Sequence, residues 1–285
     1  MSDYTYIGKD SQLVDYLQRL KEREIRVIAL DLEGEFNLHV YGERFCLLQA
    51  FDGREEVVVD PFTTSIDLIK QFLENRDLLK IMYDCASDRA LLFKSHRIAM
   101  NSILDLRPAV DLLGFQKQDL KSVLDAALGV YEPGNKKRFQ QHDWTRRPID
   151  PSAISYALED VRHLFALKEA LIDRLVKAGQ MESYILENLK RQDRTPVVDR
   201  KPGIFRSGRH ARLSRDQQKE FRRIYDIRER CARELDLPPN TVLANNDLFA
   251  VVTGEMDVAD ARGNRRMPAD SLQALIQEIS QTSSG

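Results

Sequence analysis

Cysteine is scarce in this chain of 285 residues: Cys46, Cys85 and Cys231 are the three present, and they stand far apart. An odd, scattered set with no CxxC pair supports neither a zinc site nor a disulfide framework. It fits small apolar side chains buried in a reducing cytosol. Long apolar runs are also missing, and none approaches the ~18 residues that a membrane helix needs. The opening Met1-Ser2-Asp3-Tyr4-Thr5-Tyr6 has no basic segment ahead of an apolar one. Neither secretion nor membrane insertion is expected, and the expected setting is cytoplasmic. No internal repeat is visible. What remains is ordinary for a globular chain: 42% apolar and 31% charged residues, at a length that suits one large or two modest domains.

The net charge of −2 conceals an asymmetry. Between Lys190 and Arg233 there are 15 Lys and Arg against 6 Asp and Glu, while the rest of the chain carries 28 basic and 39 acidic residues. An acidic body followed by a basic belt suggests a polyanionic partner held near a metal-binding centre. The other reading is a solvated linker with a helical charge pattern.

A functional reading turns on Val27-Ile28-Ala29-Leu30-Asp31-Leu32-Glu33. Its apolar run suits a strand covered on both faces in the middle of an α/β sheet. Side chains alternate along a strand, so Asp31 and Glu33 project to one face. Two carboxylates at the end of an apolar strand are costly to desolvate unless a cation sits between them, which points to a divalent-metal site. Chance is the alternative for this triplet taken alone, because Asp and Glu number 45 of 285 residues.

Leu13, Leu17 and Leu20 give residues 11–23 a helical spacing. Two strands, 45–51 and 55–60, are joined through Asp52-Gly53, a hairpin signal. Alternating units follow: a helix at 66–73, a short strand at 80–82, a helix at 87–94, another short strand at 103–104, and helices at 106–113 and 120–128. Crossovers of this kind place parallel strands beside the first, giving a mixed five-stranded α/β sheet flanked by helices. After a loop-like stretch with the basic Lys136-Lys137-Arg138, Asp150-Pro151 opens a long helix as N-cap and first helical residue. Ile154, Leu158, Val161, Phe165, Ile172 and Leu175 form its apolar stripe to about Lys177, and a further helix covers 181–189. Pro196, Pro202, Gly203 and Gly208 among many charges mark a linker. A charged amphipathic helix at 216–235, stopped by Leu237-Pro238-Pro239-Asn240, and shorter helices near 247–252 and 269–279 make a small all-α unit. The expected domains are 1–192, a basic linker at 193–212, and 213–285.

Two more acidic signals accompany Asp31 and Glu33. Asp88 opens a helix just after a short strand. Tyr156 and Asp160, four apart on the long helix, share one face away from its apolar stripe. An isolated Tyr-x-x-x-Asp is most often a solvated face. In order, however, these signals resemble the DEDD superfamily of 3′-to-5′ exonucleases in its tyrosine-bearing subclass, and the neighbouring residues resemble the ribonuclease D family. Val27 to Glu33 with Cys46-Leu47-Leu48-Gln49 is similar to its first motif. Lys80 to Leu92 is similar to its second, and Asp143-Trp144-x-x-Arg147-Pro148 with Tyr156-Ala157-x-x-Asp160-Val161 to its third. Residues 5 to 180 carry the likeness. Tyr83 stands where the family usually has His, Gly34-Glu35 replaces an apolar residue, and Thr145-Arg146 lie inside the third signature. The C-terminal unit resembles the HRDC domain, best over Arg228 to Pro239.

The resemblance implies a ribonuclease H-like fold and a two-metal-ion 3′-to-5′ exoribonuclease that releases nucleoside 5′-monophosphates. Mg²⁺ or Mn²⁺ suits an all-carboxylate site better than Zn²⁺. By the same resemblance Asp31 would bridge both ions, Glu33 and Asp160 would complete the first, and Asp88 would support the second. Tyr156 would orient the attacking water, since a phenol with an ordinary pKa of ~10 is protonated at neutral pH. The partner implied is the 3′ end of single-stranded RNA, including structured-RNA trailers such as tRNA precursors, with DNA as an alternative; a monomer is expected. Phe36 and Asn37, in the loop after the first motif, are candidates for a stacking wedge, or else part of a plain surface loop. Trp144 reads as a base-stacking platform or a packing anchor. Lys136, Lys137, Arg138, Arg209 and Arg212 are candidate phosphate contacts. His142 and His163 read as surface or supporting residues, and Asp84 and Asp105 as structural ones. The competing class is a catalytically silent scaffold for nucleic acid, against which the full set Asp31, Glu33, Asp88, Tyr156 and Asp160 argues.

Overall fold

The computed structural model describes residues 4–130, 139, 141–196 and 201–281. The chain packs as two units, one of Met1–Gly34 with Arg44–Val198 and one of Glu35–Glu43 with Asp199–Gly285. The first unit is built on a mixed sheet of β1 (Tyr4–Ile7), β2 (Val27–Phe36), β3 (Glu43–Phe51), β4 (Glu56–Val59), β5 (Leu79–Met82) and β6 (Ile103–Asp105). The spatial order is β1-β4-β3-β2-β5-β6. Strand β3 runs antiparallel to β4, as the Asp52-Gly53 turn requires, while β2, β5 and β6 are parallel neighbours.

The sheet has six strands, not the five expected. The extra one, β1, pairs in parallel with β4 from Tyr4↔Glu56 to Ile7↔Val59. Four residues are too few to show a period in sequence, and the strand lies at the edge, where only one neighbour constrains it. Tyr6 anchors it by donating its hydroxyl to Asp60 Oδ2 at 2.5 Å.

Among the described residues the helices of this unit are α1 (Asp10–Glu22), α2 (Ile66–Glu74), α3 (Ala86–His96), α4 (Arg107–Leu112), α5 (Leu120–Leu128), α6 (Pro151–Arg162), α7 (Leu164–Lys177) and α8 (Met181–Asp193). Asp150 caps α6 by accepting the Ser152 N–H at 2.8 Å, with Pro151 in the first turn. The single long helix expected from 151 to 177 is broken at His163, which sits at φ −100 and ψ −1. Of the stripe expected in its second half, Leu175 is buried, but Leu164, Leu167 and Leu171 are buried in place of Phe165 and Ile172. No Gly or Pro marks the break, so periodicity alone runs straight through.

Alternation along β2 divides the core in two. Ile28, Leu30 and Leu32 pack with Leu13, Tyr16, Phe72 and Leu92 from α1, α2 and α3. Ala29 packs with Val110, Ile154, Ala157, Leu158 and Leu167 from α4, α6 and α7. Each face buries enough Leu, Ile and Val side chains, at about 1.5–3 kcal/mol apiece, to hold the sheet rigid between helical layers.

Among the described residues the second unit is helical apart from the 35–43 segment, with α9 (Gly208–Ala211), α10 (Arg215–Glu234), α11 (Pro239–Val242), α12 (Asn245–Thr253) and α13 (Ala269–Gln281). A Ser214–Gln217 capping box starts α10, and Phe221, Ile224, Leu248, Phe249 and Ile279 form the centre of its core. Part of the stretch expected to be a linker is structured, since Gly203–Arg206 is a 3₁₀ turn and α9 follows it. No helix is long and apolar enough to cross a membrane, among the described residues.

Candidate active site

Ala29 faces the α4–α6–α7 side of the sheet, so the alternation of β2 sends Asp31 and Glu33 to that side too. Helix α6 packs there by Ala153, Ile154, Ala157, Leu158 and Val161, which leaves Tyr156 and Asp160 on another face of the helix. Carboxylate oxygens of Asp31, Glu33 and Asp160 lie within 4.8 Å of one another. Asp88 comes from a third direction, the first turn of α3 beyond the end of β5, and lies outside that group of three. Asp31, Glu33, Asp88, Tyr156 and Asp160 each keep part of their surface open to solvent.

Electrostatics tie the four carboxylates together. Burial, then Asp88, Asp160 and Glu33, push the Asp31 carboxyl well above the usual range, and a backbone hydrogen bond at Leu32 opposes them. Glu33 is pushed up by burial, Asp160 and Asp88. Asp88 is pushed up to about 7 by burial, Asp84 and Asp105. Several acids that resist ionising together are stabilised when a cation offsets their charge. Oxygen-only donors of this density fit a hard divalent ion such as Mg²⁺ or Mn²⁺, and lack the nitrogen and sulfur that zinc favours.

The Tyr156 phenol is held protonated well above its ordinary range by burial and by Asp160, Glu33, Asp31 and Glu159. Its ring stacks on Phe139 at 5.3 Å with a 24° tilt. Phe139 in turn meets His142 edge-on at 6.1 Å, and His142 meets Trp144 at 4.7 Å. This aromatic row packs against the Tyr156 ring through Phe139. It also decides between the two readings of Trp144: the side chain is 4% exposed and packed into the core, a packing anchor and not the base-stacking platform that was the other candidate. Arg147 of the same signature is structural too. It bonds Asp60 through Nε at 2.6 Å and Nη2 at 2.8 Å, and the Cys46 carbonyl at 2.7 Å, which fixes the segment leading into α6.

Among the other expected contacts, Phe36 is 51% exposed and Asn37 is exposed at φ 60, where its Oδ1 accepts the Gly42 N–H at 2.7 Å. Lys136, Lys137 and Arg138 lie outside the described residues. Arg209 is exposed but occupied, over the Phe249 ring at 4.4 Å and bonded to Asn246 Oδ1 at 3.1 Å; Arg212 is exposed.

Two residues carry more than the sequence showed. Glu35, which stands where an apolar residue was expected, is buried and accepts the N–H groups of Leu38 and His39 and a contact from His39 Nδ1 at 3.1 Å. It shapes the loop that presents Phe36 and Asn37. Asp105, also buried, accepts the Asp84 N–H at 2.8 Å and holds Asp84 at φ 55, in the turn just before α3. A carboxylate answering nearby backbone N–H groups is a readable signal for Glu35. The Asp105 contact joins strand ends 21 positions apart and has no local signature.

Residues 4–176 match the family model described as 3′-5′ exonuclease. The chain belongs to the 3′-5′ exonuclease family. This makes it a metal-dependent hydrolytic exonuclease. Ribonuclease D of Xanthomonas oryzae pv. oryzae is 26% identical to this exonuclease over 291 residues, covering 96% of this chain and 71% of that protein. Ribonuclease D of Sphingobium indicum is 24% identical, covering 79% of this chain, which spans 58% of that relative's length. The crystal structure of Escherichia coli RNase D, an exoribonuclease involved in structured RNA processing, superposes with a TM-score of 0.72 at 24% identity. That likeness covers 99% of this chain and 76% of the other, and shows that the two share a fold.

Proposed function

We propose that this exonuclease acts on RNA, removing nucleoside 5′-monophosphates from single-stranded 3′ ends, with the ends of structured RNAs as its natural class of substrate. The observation that carries the reading is the approach of Asp31, Glu33 and Asp160 to within 4.8 Å on the face where Tyr156 also lies. The name shared by its ribonuclease D relatives favours RNA over DNA. Asp31, Glu33, Asp160 and Asp88 would hold two divalent ions, Mg²⁺ or Mn²⁺. When bound, these ions ionise the attacking water and offset the charge on the leaving oxygen.

The chain's own residues do the rest. The carboxylates bind as anions and must give up their protons to do so. Tyr156 keeps its proton at neutral pH, so its hydroxyl orients the water and the phosphate and does not act as a base. Phe36 and Asn37, a few residues beyond Glu33, offer exposed surface to the terminal nucleotide. The second unit, which we read as HRDC-like, extends the grip along the strand. It carries an open cavity of about 550 Å³ lined by Phe205, His210, Arg215, Gln218, Lys219 and Arg222. Cations beside an aromatic ring suit a phosphodiester strand of any sequence.

One assay tests the whole reading. Matched single-stranded RNA and DNA oligonucleotides, with free or blocked 3′ ends, are incubated with EDTA, Mg²⁺ or Mn²⁺. Metal-dependent laddering from free 3′ ends of RNA is the expected result. Laddering of DNA alone would make it a DNA exonuclease, and no laddering on either a binding scaffold.

A further inference from the structure

The family match ends at residue 176, and α8 (Met181–Asp193) lies beyond it. Even so, α8 sends three side chains to Asp105, the residue whose carboxylate holds the turn just before α3. Asn188, 5% exposed, accepts the Asp105 N–H at 2.8 Å and returns its amide to the Asp105 carbonyl at 3.3 Å. The Tyr184 hydroxyl donates to that same carbonyl at 3.1 Å. Arg191 Nη1 donates to Asp105 Oδ2 at 2.8 Å. Asp105 spends its other oxygen on the backbone N–H groups of Asp84 at 2.8 Å and Arg107 at 3.0 Å.

The joint is also made from the opposite direction. Arg89, the residue after Asp88, donates to the carbonyls of Arg191, Gln192 at 3.2 Å and Arg194 at 3.1 Å. The last carbonyls of a helix have no partner within it, and here a guanidinium from the first turn of α3 supplies one. The start of α3 and the end of α8 therefore hold each other, with Asp88 between Arg89 and the Asp84–Asp105 contact.

We propose that α8, through Asn188 and Arg191 acting on Asp105 and through its carbonyls acting on Arg89, is the positioning element for Asp88, and so sets the affinity of the site for divalent cations. This rests on the metal-dependent reading given above. Asp105, Arg89 and Arg191 are positioning residues: Asp105 holds the Asp84 backbone, Arg191 holds Asp105, and Arg89, next to Asp88, ties the start of α3 to the end of α8. Groups that orient a ligand are tuned tightly, and their loss commonly weakens metal affinity by about 10–100-fold.

The test uses the full chain and measures Mn²⁺ binding without substrate, by calorimetry or by the electron-paramagnetic signal of free Mn²⁺. Arg191→Gln and Arg89→Gln are compared with Arg191→Lys, and thermal melts report folding. The expected result is weaker Mn²⁺ binding by about tenfold in both Gln variants, partial recovery in Arg191→Lys, and a KM for RNA at saturating Mn²⁺ that stays within about twofold. Arg89→Gln covers the case in which Arg191→Gln does not fold. Unchanged Mn²⁺ affinity in a folded Gln variant overturns the inference alone. A rise in KM for RNA matching the loss of metal affinity overturns it too, since a general loosening would produce that pattern. If the unaltered protein binds no Mn²⁺, the metal-dependent reading falls and this inference falls with it.

Discussion

The carboxylates of Asp31 and Asp160, one from a strand and one from a helix, lie within 4.8 Å of each other, and the second makes the first harder to ionise. The site is therefore held at a cost to the metal-free fold, and that cost depends on pH. Asp31, Glu33 and Asp88 all have raised carboxyl pKa values, Asp88 at about 7. Unfolded Asp and Glu lose their protons near pH 4. Between that point and the folded values, the folded protein binds more protons than the unfolded chain, so its stability falls as pH rises. In EDTA the melting temperature should drop from pH 5 to pH 8, and Mg²⁺ or Mn²⁺ should restore it at the upper end. A melting temperature in EDTA that is flat or rising across that interval would contradict the coupling of these groups.

The same repulsion predicts opposite effects of one substitution. Asp31→Asn removes the charge that burial and three neighbouring acids oppose. The metal-free variant should be more stable at pH 8 by about 1 kcal/mol, a trade of activity for stability common at such sites. Activity should fall by on the order of 10²–10³-fold or more. Thermal melts in EDTA beside an oligonucleotide assay check both halves. A variant less stable than the parent in EDTA would mean that Asp31 supports the fold.

Tyr156 separates positioning of water from binding of metal. Tyr156→Phe keeps the ring and its stack on Phe139 and removes the hydroxyl alone. Turnover should fall by about 10²-fold, while Mn²⁺ binding stays as in the parent. Equal losses of turnover and Mn²⁺ affinity would place the hydroxyl among the groups that build the metal site.

The pairs within this candidate site could be read from spacings that a strand or a helix converts into a common face, while their union into one metal-site reading came from the resemblance to the ribonuclease D family. Asp31 and Glu33 are two apart on β2, and Tyr156 and Asp160 four apart on α6. What could not be read depends on contacts far along the chain. Asp105 looked like one more acid near a strand end, and only the arrival of Asn188 and Arg191 shows what it does. The break at His163 was hidden because Leu164 and Phe165 both satisfy an apolar stripe, and packing decides which is buried. Trp144 allowed two readings, and its 4% exposure decides between them. Trp144→Ala should therefore destabilise the first unit by about 3–5 kcal/mol. At a temperature where the variant remains folded, its affinity for RNA should change little, and a selective loss of RNA affinity in a stable variant would restore the stacking role.

Charge on the second unit supplies the last prediction. Arg215 and Lys219 lie one turn apart on the exposed face of α10 and line the same cavity as Phe205. Lys219 has Asp216 at 3.5 Å, but both side chains are almost fully exposed. Such a pair is worth only about 0–1 kcal/mol and gives way easily to a phosphate. If both cations meet the strand, neutralising them as Arg215→Gln with Lys219→Gln removes two contacts. Each contact with a single strand contributes about −0.7 to the slope of log affinity against log salt. The double variant should therefore bind a long oligonucleotide more weakly, with a slope shallower by about 1.4. Contacts that extend the grip along a strand matter more for longer strands, so the loss should grow with strand length. Fluorescence-anisotropy titrations of oligonucleotides of increasing length, each at several salt concentrations, measure both quantities. An unchanged salt slope would mean that this face of α10 does not meet the strand, and that the basic belt between Lys190 and Arg233 is a solvated surface.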